Sequence, residues 1–278
     1  MFHAAIEQLE ASGKLIGPQQ SFQEYLDSHG LTAKQTAQHI SINALSDLRS
    51  ELREASCMVF RLGQPTGSRT THFALAKTNN GWQDYFFLDE SIFSSTSPQV
   101  YLPSVSVRSL FAYQLLPSLT ESSLVNLALA SGLLPKALRI SSSDGLTIPA
   151  RGQSVFTFDF RPLSVSDTHL QHTGGQVEID ALFVGQREDK ECLFVIEAKV
   201  SSKFESLAKH KLMYPVLALQ SNIPSYMEVV PVYVRVIRNE GAFEFNIAEC
   251  KLHRQDGAFG AIDKLECKTV SRFVLHGY

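Results

Sequence analysis

The stretch Cys192-Leu-Phe-Val-Ile-Glu197-Ala-Lys199-Val constrains this chain most, because it carries two charges into the end of an apolar run that otherwise reads as a core strand. Unpaired charges do not stay buried, so something in the fold must meet them. A second run, Val177-Glu178-Ile179-Asp180-Ala-Leu-Phe-Val184, holds carboxylates in the same way. The polar connection Gly185-Gln-Arg-Glu-Asp-Lys-Glu191 between the two predicts an antiparallel hairpin. Side chains alternate along a strand, which puts Glu178 and Asp180 on one face of the first strand and Glu197 and Lys199 on one face of the second. A turn centred on Glu188-Asp189 sets Asp180 opposite Glu197, and two acids and a lysine then converge. The other reading is an ordinary hairpin with its charges turned to solvent. Against it, Leu193 and Val195 share the face of Glu197, and Leu182 and Val184 share that of Asp180.

Two facing carboxylates repel unless one is protonated or a cation lies between them. Oxygen ligands suit a hard divalent ion such as Mg²⁺, with Mn²⁺ as a substitute, and Mg²⁺ usually takes only one or two protein carboxylates. Asp180 and Glu197 are the candidate metal ligands. Lys199, further along the same strand, can help activate water or stabilise negative charge developing on a phosphoryl oxygen. The set Asp180, Glu197 and Lys199 suits phosphodiester hydrolysis.

Asp180, a gap, then Glu197-x-Lys199, with apolar residues before each, resembles the core of the PD-(D/E)xK nuclease superfamily shared by many restriction endonucleases, over about residues 115 to 240. The resemblance implies an α/β fold, a restriction-endonuclease-like mixed central sheet flanked by helices, with a helix after the hairpin. Ser202 and Glu205 form an S-x-x-E capping box there, and Phe204, Leu207, Ala208, Leu212, Val216 and Leu219 mark an apolar helical face. Related nucleases often carry a pattern similar to Gln-Leu-x-Tyr-Pro on this helix. Here Lys211-Leu-Met-Tyr214-Pro215 places a lysine where the glutamine is expected. No Pro-Asp precedes the hairpin, so Asp180 takes the role of the leading acid, Glu178 is its rival, and Glu121 is a further candidate from an earlier helix.

The resemblance further implies a type II site-specific deoxyribonuclease acting on double-stranded DNA as a homodimer, paired functionally with a cognate DNA methyltransferase. A structure-selective repair or defence nuclease, and a non-catalytic DNA-binding module on the same fold, stay open as alternatives.

At 278 residues and net charge −3, the chain has no global basic field, so DNA contact must rest on local clusters of Lys and Arg. Cysteines 57, 192, 250 and 267 lack the C-x-x-C spacing of zinc sites, which fits a reduced, cytoplasmic chain. No run approaches a membrane span, and the first residues lack the basic start and apolar stretch of a signal peptide.

Segments 31–40 and 42–52 read as two short helices, and 57–63 with 71–76 as a hairpin, the order of a winged helix. On that reading residues 1–112 form an N-terminal α+β region that recognises DNA, and 113–278 form the nuclease domain. Arg49 and Arg53 on the second helix, and Arg61, Arg69 and Lys77 on the wing, are its candidate DNA contacts. Lys203 and Lys209, beside the acids, are placed for backbone phosphates. Further strands are expected near Tyr85-Phe-Phe-Leu and Val100-Tyr-Leu, over Val155–Phe160, Val229–Ile237 and Phe243–Ile247, with helix over 121–139. His169 and His172 read as surface residues of the loop before Gly174-Gly175.

Overall fold

The structure, a computed structural model, describes residues 1–278 apart from 34, 36, 66, 69, 142–147 and 256–257. Helix α1 (His3–Ser12), strand β1 (Gln20–Ser21) and helices α2 (Phe22–Ser28), α3 (Ala37–Ile40) and α4 (Ser50–Glu54) lead into the hairpin β2 (Cys57–Gly63) and β3 (His72–Lys77). Short elements follow: β4 (Phe86–Leu88), α5 (Asp89–Phe93), β5 (Gln99–Val100), α6 (Val107–Gln114), α7 (Glu121–Ala130) and α8 (Leu133–Leu138). The long strands come next, β6 (Ala150–Phe160), β7 (Leu170–Arg187) and β8 (Lys190–Ser201), then β9 (Ser206–Ala208) and helix α9 (Lys209–Leu219). Strands β10 (Glu228–Asn239), β11 (Ala242–Lys251), β12 (Arg254–Gln255), β13 (Ala258–Phe259) and β14 (Glu266–His276) close the chain.

One mixed sheet dominates, in the order β1-β3-β2-β7-β8-β10-β11-β14-β5, with β6 paired to β7 off this path. Strand β8 runs parallel to β10, and the connection between them carries α9 back across the sheet. Strands β10, β11 and β14 are antiparallel neighbours. Such a sheet needs cover on both faces, and its central strands accordingly read as near-continuous apolar runs rather than alternating ones. Helices α7 and α8 pack over Ala181, Phe183, Phe194 and Ile196 on one face, while Val216 of α9 meets Leu193 and Val195 on the other. The fold is thus α/β, as the sequence implies.

Strand β7 changes partner along one edge. Thr173 pairs with Gly63 of β2, whereas Ala181 to Arg187 pair with β8, and β6 covers the opposite edge. The β7–β8 ladder ends at Ala181↔Ile196, so the sheet forks at the next pair, Asp180 and Glu197. At the other end Arg187 pairs with Lys190, leaving Glu188 (φ 52°) and Asp189 (φ 60°) as a two-residue turn, centred where the polar connection predicts it. Two consecutive positive φ values are those of a type I′ turn, which favours Asn-Gly. Replacing Glu188-Asp189 by Asn-Gly should therefore stabilise the protein by about 1 kcal/mol, or about 2–4 °C in Tm. A thermal melt showing no gain would argue against this turn.

Two expectations fail. The first is the winged helix. Among the described residues, segment 31–54 holds the four-residue α3, a 3-10 turn at Leu45–Asp47 and the five-residue α4, all too short to lie along a major groove. The 3-10 turn closes because the Asp47 carboxylate takes the amides of Asn43 and Ala44. Nor is β2–β3 a free wing. Met58 to Phe60 and Phe73 to Ala76 are buried in an apolar cluster that also holds Phe2, Phe160, Leu212 and Leu265, and Gly63 joins the hairpin to β7.

The second failure is the capping box. Ser202 to Glu205 are not helical, and Ser206–Ala208 form a strand paired with β4, so α9 starts only at Lys209. A long-range clamp holds the segment extended. The Glu205 amide donates to Asp89 Oδ2, the Asp89 amide donates to the Glu205 carbonyl, and Arg235 reaches the Ser206 carbonyl and Asp89. These bonds outweigh a local pattern whose helical value is small.

Candidate active site

At the fork, Asp180 Oδ2 accepts the Ala198 amide at 2.9 Å, which fixes its carboxylate beside the start of the E-x-K segment. Lys199 Nζ lies 2.9 Å from Glu197 Oε1, 3.8 Å from Asp180 Oδ2 and 3.3 Å from Glu121 Oε2, and donates to the Ala198 carbonyl at 2.9 Å. Glu197 is 4% exposed, so the solvent-facing hairpin does not describe this chain. Glu121 arrives from the first turn of α7, whose N-cap Thr120 accepts the Ser123 amide. Three carboxylates thus surround one ammonium.

Of the two further acids considered from sequence, the fold brings Glu121 to the lysine and leaves Glu178 exposed, lining a neighbouring cavity with Arg61 and Lys211.

Burial pushes the Glu197 carboxyl up to about 7. The Asp180 charge adds to the rise, while Lys199 and Lys211 oppose it. Burial acts against the charge of Lys199, but Glu197, Asp180 and Glu121 overcome it and hold the ammonium well above its ordinary value. Lys199 is therefore a fixed cation at neutral pH, suited to hydrogen-bond donation and charge stabilisation rather than to taking a proton.

Since the folded protein favours neutral Glu197, this group's stabilising contribution is complete below its ordinary value of 4.5 and is lost as pH rises through about 7. In EDTA, the stability of Glu197→Gln relative to wild type should accordingly grow between about pH 5 and about pH 8, on the order of 2 kcal/mol. A difference flat across that range, read by thermal melts, would contradict the burial argument.

The donor set fits a hard cation. Asp180 and Glu197 present oxygens to a shared positive centre, and with Glu121 they outnumber the two ammoniums, Lys199 and Lys211, that act on the site. Among the described residues no group of three or more His, Cys, Asp or Glu is disposed to hold a metal ion, so such a site would consist of two carboxylates completed by water, as Mg²⁺ accepts.

The remaining candidates scatter. Arg53 and Lys203 are exposed, and Arg61 is exposed with a bond to Ser41 Oγ at 3.1 Å. Arg49 is half-buried and lies 2.8 Å from His39 Nδ1. Burial and the Arg49 charge lower the His39 pKa, so that nitrogen is the acceptor. Lys77 pairs with Glu10 at 3.4 Å. Arg69 lies outside the described residues. Lys209 is 5% exposed, donates to the Asp263 carbonyl and lies over the Phe87 ring. It faces the interior because α9 starts there, and its expected role at backbone phosphates falls away. His169 is exposed as expected, but His172 is buried against Phe158.

Residues 90–259 match a family described as a domain of unknown function, DUF6997, and over more than half its length the chain belongs to that family. Comparison with the curated proteins and with the solved structures finds no match. Among the described residues no helix is long and apolar enough to cross a membrane.

Proposed function

We propose that this protein is a metal-dependent endonuclease that hydrolyses phosphodiester bonds in double-stranded DNA, resembling the PD-(D/E)xK nucleases. One observation carries the reading: Asp180, Glu197 and Lys199 meet at a fork in the sheet, with a buried, proton-retaining acid among them. Asp180 and Glu197 would hold Mg²⁺ or Mn²⁺, which when bound would neutralise charge developing on phosphoryl oxygens. Asp180 is oriented for this by the Ala198 amide, and Glu121 and Asp180 keep Lys199 protonated. The Lys199 ammonium then donates to a phosphoryl oxygen and stabilises the pentavalent phosphorus centre, while the attacking water gives up a proton to solvent and the P–O bond to the leaving oxygen breaks. Among the described candidates, the exposed Arg53, Arg61 and Lys203 are the cations left for the DNA backbone.

The resemblance also supports a type II restriction enzyme, a homodimer partnered by a cognate methyltransferase. Against a dedicated sequence reader stands the loss of the winged helix, which favours a nuclease selecting DNA by structure as the second reading. Incubation of the full chain with long unmethylated DNA and Mg²⁺ tests both. Discrete fragments support the restriction enzyme, a smear supports the structure-selective nuclease, and uncut DNA rejects both.

A further inference from the structure

A cavity of about 110 Å³ has in its wall Glu178, two residues before Asp180 on β7, and Lys211, whose charge acts on Glu197. A buried water needs only about 10–15 Å³ of such space, so the cavity holds several waters or one small ring. His172, His210 and Tyr214 line it, with Phe158 packed behind His172. Phe158 stacks on His172 at 4.9 Å between ring centres, and Tyr214 lies 5.0 Å from His172 and 5.1 Å from His210.

Both ring nitrogens of His172, Nδ1 of His210 and the Tyr214 hydroxyl are buried without a hydrogen bond. The backbone of Gly175 and Arg61 approaches His172 closely enough to favour its proton, without the geometry of a full bond, and burial still lowers its pKa. Buried polar atoms are normally satisfied, and three such side chains on one cavity mark a place for a ligand.

The chemistry of this wall is selective. Burial first, then the charge of Lys211, holds His210 down to about 3, so its imidazole is neutral, and burial keeps the Tyr214 hydroxyl protonated. Neutral groups that both donate and accept, set among aromatic faces, match the edge and face of a nucleobase rather than an anion. Arg61 and Lys211 add the cations that the attached phosphate needs. The pocket also depends on Gly175, where a Cβ would stand 2.1 Å from His172 Nε2.

We propose that this cavity receives one unpaired base of the DNA, read by His172, His210 and Tyr214 with its phosphate on Arg61 and Lys211. The proposal rests on the nuclease reading and gives that site its substrate class, a strand with a base out of the stack.

The test titrates the metal-free full chain with the four deoxynucleoside 5′-monophosphates and the matching nucleosides, followed by NMR to millimolar concentration. Tyr214→Phe keeps the ring and should weaken binding of at least one base about 5-fold, the loss of one hydrogen bond. Arg61→Ala, at an exposed position, should weaken the monophosphates and spare the nucleosides. Absence of saturable binding overturns the proposal, as does binding indifferent to Tyr214→Phe. Mg²⁺-dependent cleavage of DNA without nucleotide binding removes the pocket and leaves the nuclease standing. Nucleotide binding without any cleavage does the reverse.

Discussion

Lys199→Ala should lower the rate of Mg²⁺-dependent DNA cleavage by about 10²–10⁴-fold, and Asp180→Asn by a similar factor. The reason is positional. Lys199 is the cation on which Asp180, Glu197 and Glu121 converge, so its removal deprives the phosphoryl oxygens of a fixed charge and leaves three acids without their partner. The two variants should differ in stability. Without Lys199 the fork holds unbalanced negative charge, whereas Asp180→Asn relieves repulsion on Glu197 and should lower the Glu197 pKa. Single-turnover rates on plasmid DNA, beside thermal melts in EDTA, separate the chemical loss from any structural one. Cleavage that survives both substitutions would dissociate the activity from this pocket.

Asp89→Ala is expected to cost about 3–5 kcal/mol of folding stability, because it removes the buried carboxylate nearest the Arg235 guanidinium and leaves that cation only the partly exposed Glu205 at 3.4 Å. Arg235 is 2% exposed, and its Nε lies 2.8 Å from Asp89 Oδ2, with Tyr233 donating to Asp89 Oδ1 at 2.8 Å. Asp89 also takes the Glu205 amide, so the substitution frees the segment that delivers α9, and with it Lys211, to the site. Urea denaturation measures the cost. Adding Arg235→Met should recover part of it by removing the under-compensated buried charge, and a loss below about 1 kcal/mol for Asp89→Ala alone would show that the cluster is not the clamp described.

The site was legible where local rules apply. Strand alternation and the length of the polar connection were enough to put Asp180 opposite Glu197, because a two-residue turn fixes the register of every pair above it. Strand runs such as Val229–Ile237 were visible for the same reason, their apolar density being the mark of a strand covered on both faces.

What stayed hidden depends on contacts distant in sequence. Ser202-x-x-Glu205 reads as a helix start until Asp89 and Arg235 are seen to hold it extended, and no local pattern announces them. Lys209 reads as a surface lysine only if the helix begins earlier than it does. The choice of Glu121 over Glu178 follows from the packing of α7 against the sheet, which places its first turn over Lys199. The N-terminal hairpin shows in its strand pattern, but its addition to the sheet through Gly63 does not. There φ is +77°, and a Cβ would meet the Thr173 carbonyl oxygen at 2.3 Å, a need for glycine that only the assembled sheet reveals. The aromatic wall had one sequence signal, Tyr214-Pro215, while His172 and His210 join it only through the β7–α9 contact.

The central claim is that Asp180 and Glu197 form one divalent-cation site. Titration of the DNA-free full chain with Mn²⁺, followed by electron paramagnetic resonance, measures it most directly. One saturable Mn²⁺ per chain is expected at about pH 8, weakened below about pH 7 as Glu197 takes up its proton, and abolished by Asp180→Asn. Wild-type protein that binds no Mn²⁺, or an Asp180→Asn variant that binds it as tightly, would show that these two acids do not form a cation site.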